Sequence, residues 1–430
     1  MVLPLVARLR DARVRAAVGV PISQVMLAAA GYILLALAAR TLPAGGFATV
    51  SAFYLLLNTV GRGVFASVEL ETSRAMSAAG AADVDSAPIL AEAVRRTAVL
   101  LVLAVALSFS ATLLLPDVEI AGALALGSCA MALSYGVRGP LAARRRYGAY
   151  SGTFLLEGSL TVLGAVALAV GGADDLESWV AVLVLSPALA AAVVAGAASR
   201  AGILKTVRSS LGPAWTRGQR GAVGGLHRIS LPALLWTSLF YLSSQGVWNL
   251  APVAVTAALP AVPTAAAGFV AVAVVLRAPV FVFPAIQAVM LPAISAAAQR
   301  DDRAGSSRAL RPLLLIVGVL AAPWVLCAVL VVPWLAQFAF AVEIVPPWPA
   351  SLALAMSTVV GAGAFVVQTR VLAFGRHRDV GLAWFVGLVV LGAVFLLPGD
   401  PQVSAALAQL AASIAVMLGV MVANQRVGSA

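Results

Sequence analysis

Apolar residues follow one another in long runs along this chain, without the polar stripe that marks a half-buried surface helix. Each run reaches roughly 20 residues, the length that an α-helix needs to cross a hydrocarbon core of about 30 Å. The runs are expected near 20–39, 47–66, 97–115, 120–138, 150–170, 179–198, 229–255, 264–294, 312–333, 350–372, 380–397 and 403–423. The pattern therefore predicts an all-α, polytopic membrane protein with about twelve transmembrane helices.

Composition supports this prediction, because 62% of the 430 residues are hydrophobic and 10% are charged. A soluble domain has about half and about a quarter. Of the 28 Lys and Arg residues, 25 fall at alternate connections, which the positive-inside rule assigns to the cytoplasm. The other three are Arg40, Arg62 and Arg277. We therefore expect a multi-pass protein of the cytoplasmic membrane with both termini in the cytoplasm. The net charge of +11 then results from the basic cytoplasmic connections and does not indicate nucleic-acid binding.

The longest polar stretch divides the chain into two sets of six spans. It is rich in Gly, Ser and Arg and predicts a basic cytoplasmic linker at 205–228. Residues 1–204 then hold an amphipathic N-terminal segment, expected on the membrane surface, and the first six-helix lobe. Residues 229–430 hold the second six-helix lobe.

Short sequence matches indicate that the two lobes are repeats. RGPLAARRR, which begins at Arg138, aligns without gaps on RVLAFGRHR, which begins at Arg370, so that three arginine pairs lie 232 positions apart. The Gly-Phe pair at 46–47 in the second span likewise matches the pair at 268–269 in the eighth. Internal repeats of this kind build many transporters. We therefore predict two pseudo-symmetric lobes.

Two arginines are predicted inside spans, where an ionisable side chain costs about 2.5–3.5 kcal/mol and is a functional candidate by default. Arg62 lies in the second span and Arg277 near the middle of the eighth, and these spans are repeat equivalents. Two guanidiniums on paired helices would form one positive cavity between the lobes, suited to phosphate oxygens of a substrate. The structural alternative is that Arg62 reaches the headgroups and Arg277 pairs with a carbonyl or a carboxylate.

Three carboxylates are weaker candidates for ion coupling or gating. Glu157 lies well inside the fifth span, where a buried carboxyl could take up and release protons. The structural interpretation, which we favour, is that Glu157 neutralises the nearby Arg138 cluster. Glu69 and Glu71 end the second span and could pair across the lobes, although a solvated helix end explains them equally well.

Uncharged polar residues mark a possible path along two spans. Gln245, Trp248 and Asn249 lie close to Pro252 in the seventh span, and Asn58 lies in the second. Backbone freed by a proline is tolerated in a membrane only where it faces protein or water. We therefore predict that these residues line the cavity and bind substrate, with Trp248 serving either to stack on sugar rings or as an interfacial anchor. The eighth span, apolar for about thirty residues and rich in proline, is predicted to be a long, kinked helix.

No pattern of an enzyme or a metal site is present. Cys129 and Cys327 lie in apolar runs far from any CxxC motif. His227 and His377 lack partners at catalytic or metal-ligand spacing. There is also no GxxxxGKS or GxxxxGKT phosphate-binding loop. We predict a protein that is not an enzyme and that needs no cofactor and no metal.

The stretch AARTLPAGGFATVSAFYLLLNTVGRGVFASVELETSRAMSAAG resembles the start of polysaccharide and O-antigen flippases, in the multidrug/oligosaccharidyl-lipid/polysaccharide exporter superfamily. In that family a first helix ends in Arg, a small turn with Leu and Gly or Pro follows, and a Gly-Phe pair begins the second helix. The stretch VMLPAISAAAQRDD resembles the end of the family's eighth helix. The layout of two six-helix lobes around a central cytoplasmic loop agrees over the whole chain.

The resemblance implies a V-shaped cavity lined by helices one, two, seven and eight, where Arg62 and Arg277 meet a diphosphate. The expected function is movement of a polyprenyl-diphosphate-linked oligosaccharide from the inner to the outer leaflet by alternating access, in cell-surface polysaccharide and lipopolysaccharide biosynthesis. Expected partners are this lipid-linked glycan, membrane lipids, and a glycan polymerase or glycosyltransferases. The first span has no ionisable residue, unlike that of peptidoglycan-precursor flippases, which disfavours that cargo.

Three alternatives predict different features. A multidrug or organic-cation exchanger of the same superfamily predicts an acidic cavity, whereas the charge expected inside this membrane protein is basic. A non-transporting scaffold of a glycan-assembly complex predicts that Arg62 and Arg277 are sealed in salt bridges. A major-facilitator symporter is disfavoured, because ETSRAMSAAGAADVDSAPIL lacks that family's Gly-rich, Asp-Arg-Gly-Arg loop between helices two and three.

Overall fold

A computed structural model of the chain describes residues 12–81, 85–115, 118–200, 229, 231–282, 294 and 302–429. This described part is helical and contains no strand. The first eleven residues, the linker at 205–228 and the last part of the eighth span lie outside it, so the predictions made for those segments stay predictions.

Each predicted span contains a helix, which confirms the all-α, polytopic fold. The first lobe consists of α1 (Ala12–Thr41), α2 (Ala44–Leu57), α3 (Gly63–Ala81), α4 (Ala87–Ser110), α5 (Val118–Ala143), α6 (Tyr147–Gly171) and α7 (Leu176–Arg200). The second consists of α8 (Leu231–Ala258), α9 (Pro263–Leu276), α10 (Arg303–Leu330), α11 (Val332–Phe340), α12 (Trp348–Ala373), α13 (His377–Phe395) and α14 (Pro401–Ser429). The second span comprises α2 and α3, joined by a π-helical segment at Asn58–Arg62.

Within the described ranges, eleven helical stretches are long and apolar enough to cross a membrane. The twelfth span is α8, which has 28 residues but is less apolar because it carries Gln245 and Asn249. The helices differ sharply in burial. In the most apolar stretch of α10, 6% of the residues are buried inside the protein, whereas in that of α12 the share is 72%. Apolar side chains such as Val319 and Leu330 point outward from α10, as lipid contact requires. The chain is therefore a many-span membrane protein.

The two lobes repeat the same helix packing. In the first lobe α1 packs on α6, α4 on α5, α5 on α7, and α6 on α7. In the second lobe the equivalent pairs are α8 with α13, α10 with α12, α12 with α14, and α13 with α14. The lobes meet where α2, α3 and the π-helical segment pack against α8 and α9. Gly63 allows a close approach there, because a Cβ on it would lie 2.8 Å from the Leu242 Cα atom.

The structure corrects the register of the repeat. Both α5 and α12 have 26 residues, and they begin and end 230 positions apart rather than 232. The turns that follow agree: Arg146 and Arg376 have nearly the same backbone angles, with φ of −82° and −87° and ψ of 55° and 50°. The structural equivalent of Arg138 is therefore Gln368 and not Arg370. The ungapped match paired the wrong residues because arginines flank any cytoplasmic helix end, whatever their helical position.

Two further predictions differ from the structure. The connection between the ninth and tenth spans, for which no helix was predicted, contains most of the nine-residue helix α11. The eighth span is not one continuous α-helix, because α9 ends at Leu276 and a 3-10 segment follows at Ala278–Val282. Pro279 lies in that segment and lacks the N–H that an α-helix would need.

Candidate functional site

The second and eighth spans lose regular α-helical geometry at matching places. Both α2 and α9 have fourteen residues. The π-helical segment at Asn58–Arg62 follows α2, and Arg277 caps α9 before the 3-10 segment. π-Helical turns occur frequently at functional sites, and discontinuous helices near the middle of the membrane form the binding sites of many transporters built from repeats. The two breaks therefore locate the candidate site, and Arg62 and Arg277 each lie at one of them.

A buried polar contact joins the lobes at this level. The Nδ2 atom of Asn249, on α8, donates to Thr59 Oγ1 at 2.9 Å and to Gln245 Oε1 at 3.4 Å. The Nη1 atom of Arg277 donates to Asn249 Oδ1 and to the carbonyl oxygen of Trp248, the latter at 3.5 Å. Asn249 is fully buried and Arg277 is 8% exposed. We call Thr59, Asn249 and Arg277 the inter-lobe junction, because they connect the π-helical segment with the second lobe.

Arg62 lies away from this junction, on a cavity inside the first lobe. Residues of α1, α2, the π-helical segment, α5, α6 and α7 line this N-lobe cavity, and its charged members are Arg62, Arg138 and Glu157. Arg62 is half-buried, and its Nε atom donates to the Tyr135 hydroxyl at 3.3 Å. Arg277 is not part of this lining. The expected single cavity shared by Arg62 and Arg277 is therefore not the one that surrounds Arg62 here.

Tyr54 interacts electrostatically with both Arg62 and Arg277, and it lines the N-lobe cavity. Its ring packs directly on α1 at Gly31, where a Cβ atom would lie 2.3 Å from the Tyr54 hydroxyl oxygen. Gly31 thus makes room for the ring of a residue that is close to both arginines.

Glu157 forms an ion pair in the interior of the first lobe. Its Oε2 atom accepts from Arg138 Nη2 at 2.6 Å, and Arg138 Nε donates to Thr153 Oγ1 at 3.0 Å. The guanidinium also lies 4.0 Å from the centre of the Phe154 ring. The predicted neutralisation of an arginine by Glu157 is therefore present. Arg138 was counted among the residues of the connections, which is wrong: it lies within α5, which continues through Pro140, and it is 1% exposed.

The second lobe does without this ion pair. At offset 230 the equivalents of Arg138, Phe154 and Glu157 are Gln368, Trp384 and Gly387. Gln368 is 1% exposed, and its Oε1 atom accepts from Trp384 Nε1 at 2.7 Å. At the equivalent position of the second lobe, a hydrogen bond between two uncharged side chains thus replaces the ion pair. The charges of the N-lobe cavity are therefore not a requirement of the architecture.

The remaining predicted substrate residues divide between the cavity and the core. Asn58 lines the N-lobe cavity, and its Nδ2 atom donates to the Tyr54 carbonyl oxygen at 2.8 Å. Gln245 is half-buried beside Asn249. Trp248 is 4% exposed and stacks on Phe365 with ring centres 6.3 Å apart. Its ring therefore packs within the second lobe, and in this conformation it is not presented to a sugar.

The two carboxylates at the end of the second span have local partners. Glu69 accepts a hydrogen bond from the Tyr150 hydroxyl of α6. Glu71 is 3% exposed and pairs with Arg74 of the same helix at 2.9 Å. Neither of these contacts crosses between the lobes, but Glu71 and Arg74 interact electrostatically with His377 of α13 in the second lobe, so gating by pairing across the lobes stays a prediction.

Sequence reasoning missed Tyr54, Thr59 and Tyr135, which complete the site. One signal was present: Tyr54, Asn58 and Arg62 recur every fourth residue in an otherwise apolar span, and residues at this spacing share a helix face. Thr59 carries no such signal, because a threonine hydroxyl in an apolar helix usually bonds its own backbone. Tyr135 carries none either, because a tyrosine in a membrane span is commonly an interfacial anchor. In the part of the chain described, no cluster of His, Cys, Asp or Glu could hold a metal ion.

No protein-family model and no curated protein sequence matches the chain. Solved structures do match. The crystal structure of a MATE protein in a bent conformation has a TM-score of 0.60 at 13% identity, over 98% of this chain and 97% of its own. The inward-facing structure of a multidrug resistance MATE family transporter of the MOP superfamily has a TM-score of 0.59 at 14% identity, over 96% and 98%.

A third structure differs in its described chemistry. It is a MOP superfamily transporter from Pyrococcus furiosus, reported to have a binding pocket of reversed polarity, with a TM-score of 0.60 at 14% identity over 98% of this chain and 97% of its own. The structural neighbours are membrane transporters and not enzymes. At these identities the likeness concerns architecture: the chain has the fold of the MATE transporters of the MOP superfamily.

Proposed function

We propose that the chain is an alternating-access transporter that moves a polyprenyl-diphosphate-linked oligosaccharide from the inner to the outer leaflet of the cytoplasmic membrane. The observation that carries the transport function is the matched break of the second and eighth spans where the lobes meet. Broken helices expose backbone groups that hydrocarbon cannot satisfy, so they persist in membranes only around a protein-lined or water-filled path.

The charges near the breaks support an anionic cargo. Arg277 is the charged residue of the inter-lobe junction, whereas Arg62, Arg138 and Glu157 line the N-lobe cavity. Arginine presents planar paired donors that match the oxygens of a phosphate. In this conformation Asn249 occupies the Nη1 donor of Arg277. Binding of a diphosphate would replace the amide oxygen with a charged acceptor and so loosen the inter-lobe junction.

A second candidate is exchange of organic cations, which the likeness to a multidrug resistance MATE transporter favours. Cation binding needs a carboxylate that is free to face the ligand. Glu157 lines the N-lobe cavity but is neutralised by Arg138 at 2.6 Å, which argues against this candidate. The Pyrococcus furiosus transporter is described as having a binding pocket of reversed polarity within the same fold, so the fold alone does not require a cationic cargo.

Flipping of a fluorescent polyprenyl-diphosphate sugar by the purified full chain in proteoliposomes tests the proposal. The native chain should carry the probe to the leaflet where an impermeant quencher reaches it. Arg277→Ala should lower the rate of this flipping at least tenfold, and Arg277→Lys should give an intermediate rate. Arg95→Ala is the matched control, because Arg95 is exposed and pairs locally with Glu92.

Uptake of a fluorescent organic cation by the same vesicles separates the two candidates. Cation exchange together with absent sugar flipping would overturn the diphosphate proposal. Sugar flipping that is equally fast in native chain and Arg277→Ala would show that the cargo is recognised elsewhere.

A further inference from the structure

The N-lobe cavity contains a positive charge that its own lining does not neutralise. Three charged side chains line the cavity, and two of them, Arg138 and Glu157, form the ion pair described above. Glu69 accepts a hydrogen bond from Tyr150 and is not part of the lining. Arg62 is therefore the charged side chain of this lining that has no ion-pair partner among the described residues, although Glu157 and Glu69 interact with it electrostatically at longer range.

The hydrogen-bond donors of Arg62 are also incompletely used. A guanidinium has five N–H donors. The Nε atom donates to Tyr135, whereas Nη1 and Nη2 have no hydrogen-bond partner among the described residues. The side chain is half-buried within a membrane span. A cation in such a place carries a large desolvation penalty unless an anion or an acceptor accompanies it, so the geometry calls for a negatively charged ligand.

The size of the cavity restricts that ligand. The cavity volume is about 50 Å³, which is room for an ion and a few waters, since one water needs roughly 10–15 Å³ on this measure. A sugar diphosphate is far too large for it. The lining includes Tyr54 and Arg62 but none of the three residues of the inter-lobe junction.

We propose that the N-lobe cavity is a binding site for a small inorganic anion of chloride size, held by the Nη atoms of Arg62. The site is distinct from the position of the transported cargo and does not depend on what that cargo is. The first lobe alone carries the Arg138 and Glu157 charges that border the site, because their equivalents Gln368 and Gly387 are neutral.

Direct binding of radioactive chloride to the purified full chain, by equilibrium dialysis in detergent, tests this site. We expect saturable binding of one chloride per chain. Arg62→Gln should lose this binding, Arg62→Lys should weaken it at least tenfold, and Arg277→Gln should leave it unchanged. Arg277→Gln is the matched control because it removes the other interior arginine that lies at a helix break.

Thermal stability provides a second measurement that does not require transport. Replacement of gluconate by chloride at constant sodium should raise the melting temperature of the native chain and of Arg277→Gln, because a ligand that binds only the folded state stabilises it. Arg62→Gln should show no such rise. Absence of saturable chloride binding to the native chain would overturn the proposal, and so would unchanged binding by Arg62→Gln.

If Arg62→Gln fails to fold, Arg62→Lys and Tyr135→Phe decide the question through their chloride affinities. Affinity equal to that of the native chain in both variants would overturn the site. Because none of these measurements uses a lipid-linked sugar, failure of the chloride site leaves the proposed flippase function standing, and failure of sugar flipping leaves the chloride site standing.

Discussion

Removal of one partner of the Arg138–Glu157 ion pair should strongly destabilise the first lobe. Their side chains are 2% and 7% exposed, and their charged atoms are 2.6 Å apart. Loss of one partner from a buried pair costs about 3–5 kcal/mol, because the other charge is left without compensation. Glu157→Ala should therefore lower the free energy of unfolding by about that amount. Arg138 keeps its contacts to Thr153 and Phe154, which places the expected loss toward the lower end.

The double variant Arg138→Gln with Glu157→Ala should recover much of this loss. It creates a neutral site comparable with the one around Gln368 in the second lobe, where no ion pair is needed. We expect the double variant to be more stable than the sum of the two single losses predicts, by about 2–3 kcal/mol, which is the upper part of the range of about 0.5–3 kcal/mol for side chains in direct contact.

Denaturant titration in detergent micelles, followed by tryptophan fluorescence, measures the four free energies of this cycle. Glu92→Ala is the control, because Glu92 pairs with arginines at the surface and such pairs contribute about 1 kcal/mol or less. Strict additivity of the two single variants would refute the reasoning. A loss below about 1 kcal/mol for Glu157→Ala would refute it as well.

Three further predictions concern packing and turns. Gly268→Ala should abolish monodisperse protein on size-exclusion chromatography, because its Cβ would lie 1.7 Å from the Ile344 carbonyl oxygen, which is backbone and cannot rotate away. Arg40→Gln should speed amide hydrogen exchange in α11, because the Arg40 guanidinium donates to the last carbonyls of that helix; unchanged exchange would contradict this contact. In denaturant titrations, Gly375→Ala should lower stability and Arg145→Gly should raise it, each by about 1 kcal/mol, because their φ angles of 74° and 54° are left-handed.

Much of the fold was predictable because the solvent imposes it. A chain that buries its backbone in hydrocarbon has to form helices, so long apolar runs give the number and approximate position of the spans. All twelve predicted spans contain helices, and the observed helices extend several residues beyond most predicted ends. The breaks in the second and eighth spans were not predictable, since neither the π-helical segment nor the end of α9 at Leu276 follows from hydrophobicity.

The sequence by itself also identified most of the polar residues that lie in the interior, because each is costly in a membrane and therefore stands out. It did not determine which of them meet. Arg138 was expected in a connection but is buried within α5, and Arg62 was expected to share a cavity with Arg277 but lines one that does not include it. The repeat was aligned two residues out of register. Only the tertiary structure decided these points. Contacts between helices depend on small residues such as Gly31 and Gly63, which allow close approach only if a side chain or backbone of the neighbouring helix lies directly opposite. The sequence does not show which residues lie opposite each other.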